Sequence, residues 1–347
     1  MSTSLLIQAG PQALTQMKQH GLRAADISLM IGASGGPKWF CLYGLDQYFT
    51  GNFFAKRDTP LQLLGSSAGA WRFACYAQQD AQAASARFCQ AYRTLCYPKT
   101  ATRAEVSAKS VDILKAIFPS EQHIQQVVEN PIFQLNFVVA KSRALTRRRN
   151  QTGLIASLTL AAAANAMKRQ LLGKFYQRLL FQHPASPAML PQSLDLPSSR
   201  QPLTTENLTQ ALLATGAIPL VIDPVLEIAG AGKGHFVDGG ITDYHFDWPF
   251  QSEGLIVYPH FYPHLSPGWF DKNLPWRQRK SAPSQQMVLI SPSAAWIKSL
   301  PYGKIPDRTD FSRLSDTQRI EYWYEVTERS FELSDALQRG NFDLKAW

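Results

Sequence analysis

Cysteine is scarce. The four residues Cys41, Cys75, Cys89 and Cys96 all fall in the first hundred positions, at spacings that fit no zinc pattern and inside segments that read as helix or strand, so buried reduced thiols are expected and no metal site is. Long apolar runs are missing too. The most apolar stretch, Gly153 to Met167, is too short to span a bilayer, and its alanine content suits a buried helix. The amino-terminal stretch has no basic start and no long apolar centre, and Pro11 interrupts it, so no secretory signal is expected and the protein reads as cytoplasmic. There is no internal repeat, no low-complexity tail and no GxGxxG. Neither zinc-finger spacing nor an RNA-binding aromatic signature is present, so neither a nucleotide cofactor nor a nucleic-acid partner is expected. Acidic residues are the minority, 26 Asp+Glu against 35 Lys+Arg for a formal charge of +9, with the densest basic cluster at Lys141, Arg143, Arg147, Arg148 and Arg149. A surface of that sign attracts anions generally, whether nucleic acid, lipid headgroups or acidic metabolites.

What is present is a globular α/β pattern, 347 residues long and 45% hydrophobic, enough for a sizeable core. Asp26 to Gly32 is a short β-rich run ending in the turn Gly32-Ala33-Ser34-Gly35-Gly36, and Pro37 suits the first position of a helix through Trp39, Leu42, Leu45 and Phe49 that stops near Gly51. A second strand, Leu61 to Leu64, leads into Gly65-Ser66-Ser67-Ala68-Gly69 and a helix over Ala70 to Gln79. Strand, helix, strand, helix predicts a parallel pair joined by a right-handed crossover, with both glycine-bearing turns at one carboxyl edge. Further strands are expected at Phe133 to Ala140, Gly254 to Tyr258 and Met287 to Ile290, and helices at Ala81 to Leu95, Ala104 to Phe118 and Ser157 to Phe181. The proline-rich segment Pro184 to Pro202 reads as an exposed loop or lid, and Ser315-x-x-Gln318 as a capping box opening a final helix that ends at Gly340. The simplest organisation is one α/β domain with a helical carboxy-terminal extension: an amino-terminal segment over 1–24, the main α/β domain over 25–260, and the extension over 261–347 packed on the same domain.

Gly65 to Gly69 is a GxSxG pentapeptide between a strand and a helix, which predicts a nucleophile elbow holding the Ser67 hydroxyl outward. A serine hydroxyl needs a base and oxyanion donors. The Ser34-Gly35-Gly36 turn, at the start of a helix, offers backbone N–H groups for the second role; a phosphate-binding turn or a plain tight loop is the competing reading. For the first, Asp238 in Phe236-Val237-Asp238-Gly239-Gly240 stands at an apolar strand end, followed by two glycines; a turn aspartate capping its own loop is the competing reading. The aromatics Phe236, Tyr244 and Phe246 would supply the desolvation that makes a carboxylate a useful base.

Four ordered elements together resemble the patatin-like phospholipases. Gly35-Gly36-Pro37-Lys38 is similar to that family's glycine-rich oxyanion turn, Gly65 to Gly69 to its elbow, Ala214-Thr215-Gly216-Ala217-Ile218-Pro219 to its Ala-Ser-x-Ala-Ile-Pro segment, and Asp238-Gly239-Gly240 to its Asp-Gly-Gly. The resemblance covers residues 25 to 250. It implies a three-layer α/β/α fold with a central, mostly parallel sheet, a Ser67–Asp238 dyad without histidine, an oxyanion hole at the Gly35 and Gly36 amides, and hydrolysis of a lipid or other ester with no cofactor. Ser34 stands where the family has a leading glycine, and Trp39 where it has a final one, so Trp39 either narrows the pocket or packs its helix onto the sheet. Two rivals remain. One is an α/β-hydrolase triad with His260 or His264, against which the single crossover between turn and elbow argues; the other is a catalytically silent lipid-binding or interaction protein on the same fold. The basic cluster and the apolar segment after it would suit peripheral contact with an anionic membrane surface.

Overall fold

The computed structural model describes residues 3–98, 100–147, 150–191, 194–279 and 281–347. Eleven strands form one mixed sheet. In chain order they are β1 (Leu5–Ala9), β2 (Ile27–Gly32), β3 (Leu61–Ser66), β4 (Phe133–Ser142), β5 (Tyr176–Gln182), β6 (Ser198–Pro202), β7 (Val225–Ile228), β8 (Gly232–Val237), β9 (Leu255–Pro259), β10 (Met287–Pro292) and β11 (Asp343–Ala346). Their spatial order is β11-β1-β10-β9-β2-β3-β4-β5-β6. The consecutive strands β10, β9, β2, β3 and β4 are all parallel, whereas β1 and β5 join them antiparallel. Successive side chains on a strand point to opposite faces, so the unbroken burial of β9 and β10 means that both faces of the sheet are covered. Segments from both ends of the chain, β1 and β11, share the sheet with β10.

The predicted parallel pair is present, with Gly32 opposite Gly65 in register. The connection between them departs from a plain helix. Residues Gly36–Leu42 form a 3-10 turn, α1 follows over Tyr43–Tyr48, and Phe49–Phe53 closes in a π turn. After β3, α2 (Ala68–Tyr76) packs on β2, β3 and β4. A Cβ on Gly69 would collide with the Gly32 carbonyl oxygen, so glycine there lets the helix cross directly over the neighbouring strand end. The buried pair Arg72–Asp46, bidentate at 2.8 and 2.6 Å and completed by the Tyr76 hydroxyl at 2.7 Å, ties α2 to α1.

Two helical expectations are corrected. The pattern over Ser157 to Phe181 divides into a helix, Gln151–Met167, a 3-10 segment, Arg169–Lys174, and strand β5. Apolar runs such as Leu179-Leu180-Phe181 do not distinguish helix from strand by themselves, and pairing with β4 decides. The Gln151–Met167 helix is buried on one face only, since Ile155 and Leu160 are about half exposed. The final helix opens on the Ser315/Gln318 capping box as expected, but Ser330 divides it into Asp316–Arg329 and Phe331–Gln338. There the Ser330 hydroxyl accepts from the Gly44 amide at 2.8 Å, which anchors the break to α1. In the segment 184–202 the last five residues form edge strand β6 beside β5. Arg148 and Arg149 of the basic cluster lie outside the described residues; Arg143 donates to the Gly173 carbonyl and Arg147 to the Ser142 carbonyl. Cys41, Cys75 and Cys89 are buried free thiols, while Cys96 is exposed. Among the described residues no helix is long and apolar enough to cross a membrane.

Candidate active site

The sheet brings the two candidate residues together by an interruption beside β4. Strand β3 runs parallel to β4 and ends with Ser66 opposite Val138. Strand β5 occupies the other edge of β4, pairing Arg178 with Ala140. The place that β3 vacates is therefore taken by β8, which runs antiparallel, with Phe236 opposite Lys141 and Val237 opposite Ala140. Two chains thus approach end to end along one edge of β4 and turn away at the level of Val139. The residues at the two turns are Ser67 and Asp238, and the Ser67 hydroxyl donates to Asp238 Oδ2 at 2.9 Å.

Ser67 sits at φ 51 and ψ −128, a strained conformation for a residue with a side chain, immediately before α2. The strain is held by its neighbours. The Ser67 amide donates at 2.9 Å to the Thr215 hydroxyl, which donates to the Val138 carbonyl at 2.6 Å. The Asp238 amide donates to the Ala217 carbonyl at 2.9 Å, so the 214–219 segment fixes both turns. Thr215 is fully buried. Thr215→Val keeps its shape but leaves the Ser67 amide without an acceptor, which is expected to cost about 1–3 kcal/mol of stability in denaturant unfolding.

Asp238 Oδ1 accepts from the Gly240 amide at 2.7 Å, at the head of the 3-10 turn Gly239–Ile241. The carboxylate therefore does cap its own loop, with its second oxygen left for Ser67. Burial pushes its pKa above the ordinary aspartate value, against the Gly240 and Ser67 hydrogen bonds and the charges of Arg308 and Lys272. Ser67 and Asp238 are each only 7% exposed and meet solvent in a cavity of about 270 Å³ that Gly35, Gly36, Tyr244 and Trp269 also line.

The glycine turn lies across this cavity. The Ser34 amide donates to the Tyr244 carbonyl at 3.0 Å. The Ser34 hydroxyl is 2.7 Å from that of Ser66, whose own proton goes to the Asp243 carbonyl at 2.6 Å, so Ser34 is the donor. Among the described residues the Gly35 and Gly36 amides have no protein acceptor. Gly36 is at φ +53, where a side chain would be strained, and it packs against the Arg308 stem. Of the other motif glycines, Gly65 sits on β3 opposite Phe137.

Trp39 stacks on Phe88 at 4.5 Å and is buried outside the cavity, so it packs rather than narrows. Of the three aromatics expected around Asp238, Tyr244 lines the cavity, while Phe236 and Phe246 belong to the core. Among the described residues no histidine lines it. His260 is fully buried, its Nδ1 engaged with the backbone of Tyr262, and burial pushes its pKa down to about 3. His264 stacks on Tyr262, and His235 lines a separate cavity. Sequence reasoning missed Lys272, Trp269 and Arg308, which reach the site from the carboxy-terminal part of the chain. Burial and the neighbouring charges of Lys38 and Arg308 push the Lys272 ammonium down to about 7.

A second cavity of about 340 Å³ shares Pro219 with the first and is lined in part by Leu154, Leu220 and Leu226. Among the described residues no cluster of His, Cys, Asp and Glu could hold a metal ion.

No family model and no curated protein matches this sequence. Among solved structures, a chain described as VipD from Legionella pneumophila is similar at 14% identity and a TM-score of 0.33, over 74% of this chain and 53% of that one. This chain thus spans about half the length of that structure.

Proposed function

We propose that the chain is a serine-dependent carboxylic ester hydrolase acting on lipid or related acyl esters in the cytoplasm, with Ser67 as nucleophile and Asp238 as its base. The observation that carries this reading is the 2.9 Å hydrogen bond from a strained elbow serine to a buried carboxylate, open to a cavity. Asp238 takes the proton of Ser67 as its oxygen attacks the ester carbonyl. The unpaired Gly35 and Gly36 amides hold the oxyanion, and the proton passes from Asp238 to the leaving alkoxide. Water, deprotonated by the same carboxylate, then releases the acyl group from Ser67. The second cavity, which shares Pro219 with the first and is lined mostly by apolar side chains, is of a kind to take an acyl chain.

A fluorophosphonate probe tests the reading against a silent binding protein: wild type is expected to be labelled at Ser67, and absence of labelling removes the enzyme assignment. The triad rival is tested separately. His260→Gln and His264→Gln are expected to retain hydrolysis, because neither ring lines the cavity that holds Ser67. Loss of turnover in a folded His264→Gln protein would restore the triad.

A further inference from the structure

The cavity over Ser67 carries three cationic side chains, Lys38, Lys272 and Arg308. None of them has an acidic partner in an ion pair among the described residues. Arg308 Nη1 is buried without a hydrogen-bond acceptor. The charges are close enough to act on one another: burial, Lys38 and Arg308 disfavour the charged form of Lys272, and Asp238 favours it more weakly. Packing like charges into a half-buried cavity is unfavourable, and it is relieved when a proton is lost, toward which the lowered Lys272 pKa tends, or when an anion joins the charges. The two carboxylates that line the cavity offset these charges only in part, because both are bonded to other groups: Asp238 to Ser67 and Gly240, and Asp307 to Lys304 at 3.0 Å and the Thr309 amide at 2.7 Å.

Resting on the hydrolase reading above, we propose that this cavity recognises a phosphomonoester carried by the ester substrate, with Lys38, Lys272 and Arg308 as the residues that set this specificity. A terminal phosphate presents up to two charges and three acceptor oxygens, which suits two ammonium groups and a guanidinium edge. A zwitterionic headgroup fits poorly for two reasons. No carboxylate without bonds of its own is left for its ammonium, and the aromatic faces that would attract one, Tyr244 and Trp269, already have Lys272 Nζ at 3.9 and 5.6 Å from their ring centroids. The Arg308 stem packs against Gly36, so the phosphate would sit beside the oxyanion turn and orient the carbonyl toward Ser67.

Binding is tested without turnover in Ser67→Ala protein, titrated calorimetrically with inorganic phosphate. Arg308→Ala and Lys272→Met, each added to that background, are expected to weaken phosphate about tenfold or more, and Arg308→Lys to restore part of the loss. Unchanged affinity in both folded variants overturns the proposal. Hydrolysis by the wild-type chain then compares a long-chain acyl glycerol 3-phosphate, its phosphocholine counterpart, and butyryl glycerol 3-phosphate. A kcat/KM about tenfold higher for the long-chain phosphate than for phosphocholine supports a lipid source, and a preference confined to the butyryl ester supports a water-soluble one. Equal or better hydrolysis of phosphocholine overturns the proposal. Phosphate binding that depends on the cations, with no ester hydrolysed, leaves the anion site standing and removes the dyad.

Discussion

Ser67→Ala is expected to reduce ester hydrolysis by on the order of 10⁶-fold, because Ser67 is the hydroxyl that stands on the strained elbow and donates to a buried carboxylate. The fold should survive. The Ser67 hydroxyl bonds only to Asp238, whereas the amide that pins the elbow to Thr215 is untouched. Alanine would inherit the positive φ, which is no easier for it than for serine. The measurement is turnover of a chromogenic ester by wild type and variant purified side by side, with fluorophosphonate labelling as a second readout. Turnover that persists in the variant would place the nucleophile elsewhere.

The part of this site that the sequence made legible is the part built from local backbone. Gly65 to Gly69 between a strand and a helix specifies the elbow, because both the positive φ and the close pass over Gly32 are demands on neighbouring residues. The crossover between the two glycine turns followed from strand and helix periodicity, and Gly32 and Gly65 do lie in register. Asp238 was found as a residue, yet its approach depends on β8 occupying the edge of β4 that β3 leaves free, a long-range pairing with no local signature. Strand β5 was read as helix for the same reason: its partners, β4 and β6, lie on other segments. Lys272 and Arg308 carry no motif. They are two basic residues among 35, and what singles them out is placement in one cavity without acidic partners.

Asp238→Asn separates the roles that this carboxylate combines. Asparagine keeps an acceptor for the Gly240 amide, so the loop should hold, but it cannot take the Ser67 proton. A loss of roughly 10²–10⁴-fold in kcat is expected from removal of the base alone. Stability should move the other way. Burial raises the Asp238 pKa in the folded chain, so the native state binds this proton more readily than the unfolded state does. The stabilising contribution is present below the unfolded value and is lost as pH rises through the folded one; at neutral pH the ionised group is a net cost that asparagine removes. The variant is therefore expected to unfold at a higher denaturant concentration than wild type at pH 7, and to lose that advantage as the solution is acidified. Equal or lower stability at pH 7 would mean that the carboxylate serves chiefly to hold the loop. In the wild type the same shift puts the acid limb of kcat/KM above the range of an ordinary aspartate. Lys272→Met should move that limb higher still, because the Lys272 charge is one of the forces holding the Asp238 pKa down. In the proposed dyad burial raises the affinity of the Asp238 carboxylate for the serine proton, while the charges of Arg308 and Lys272 act against that rise.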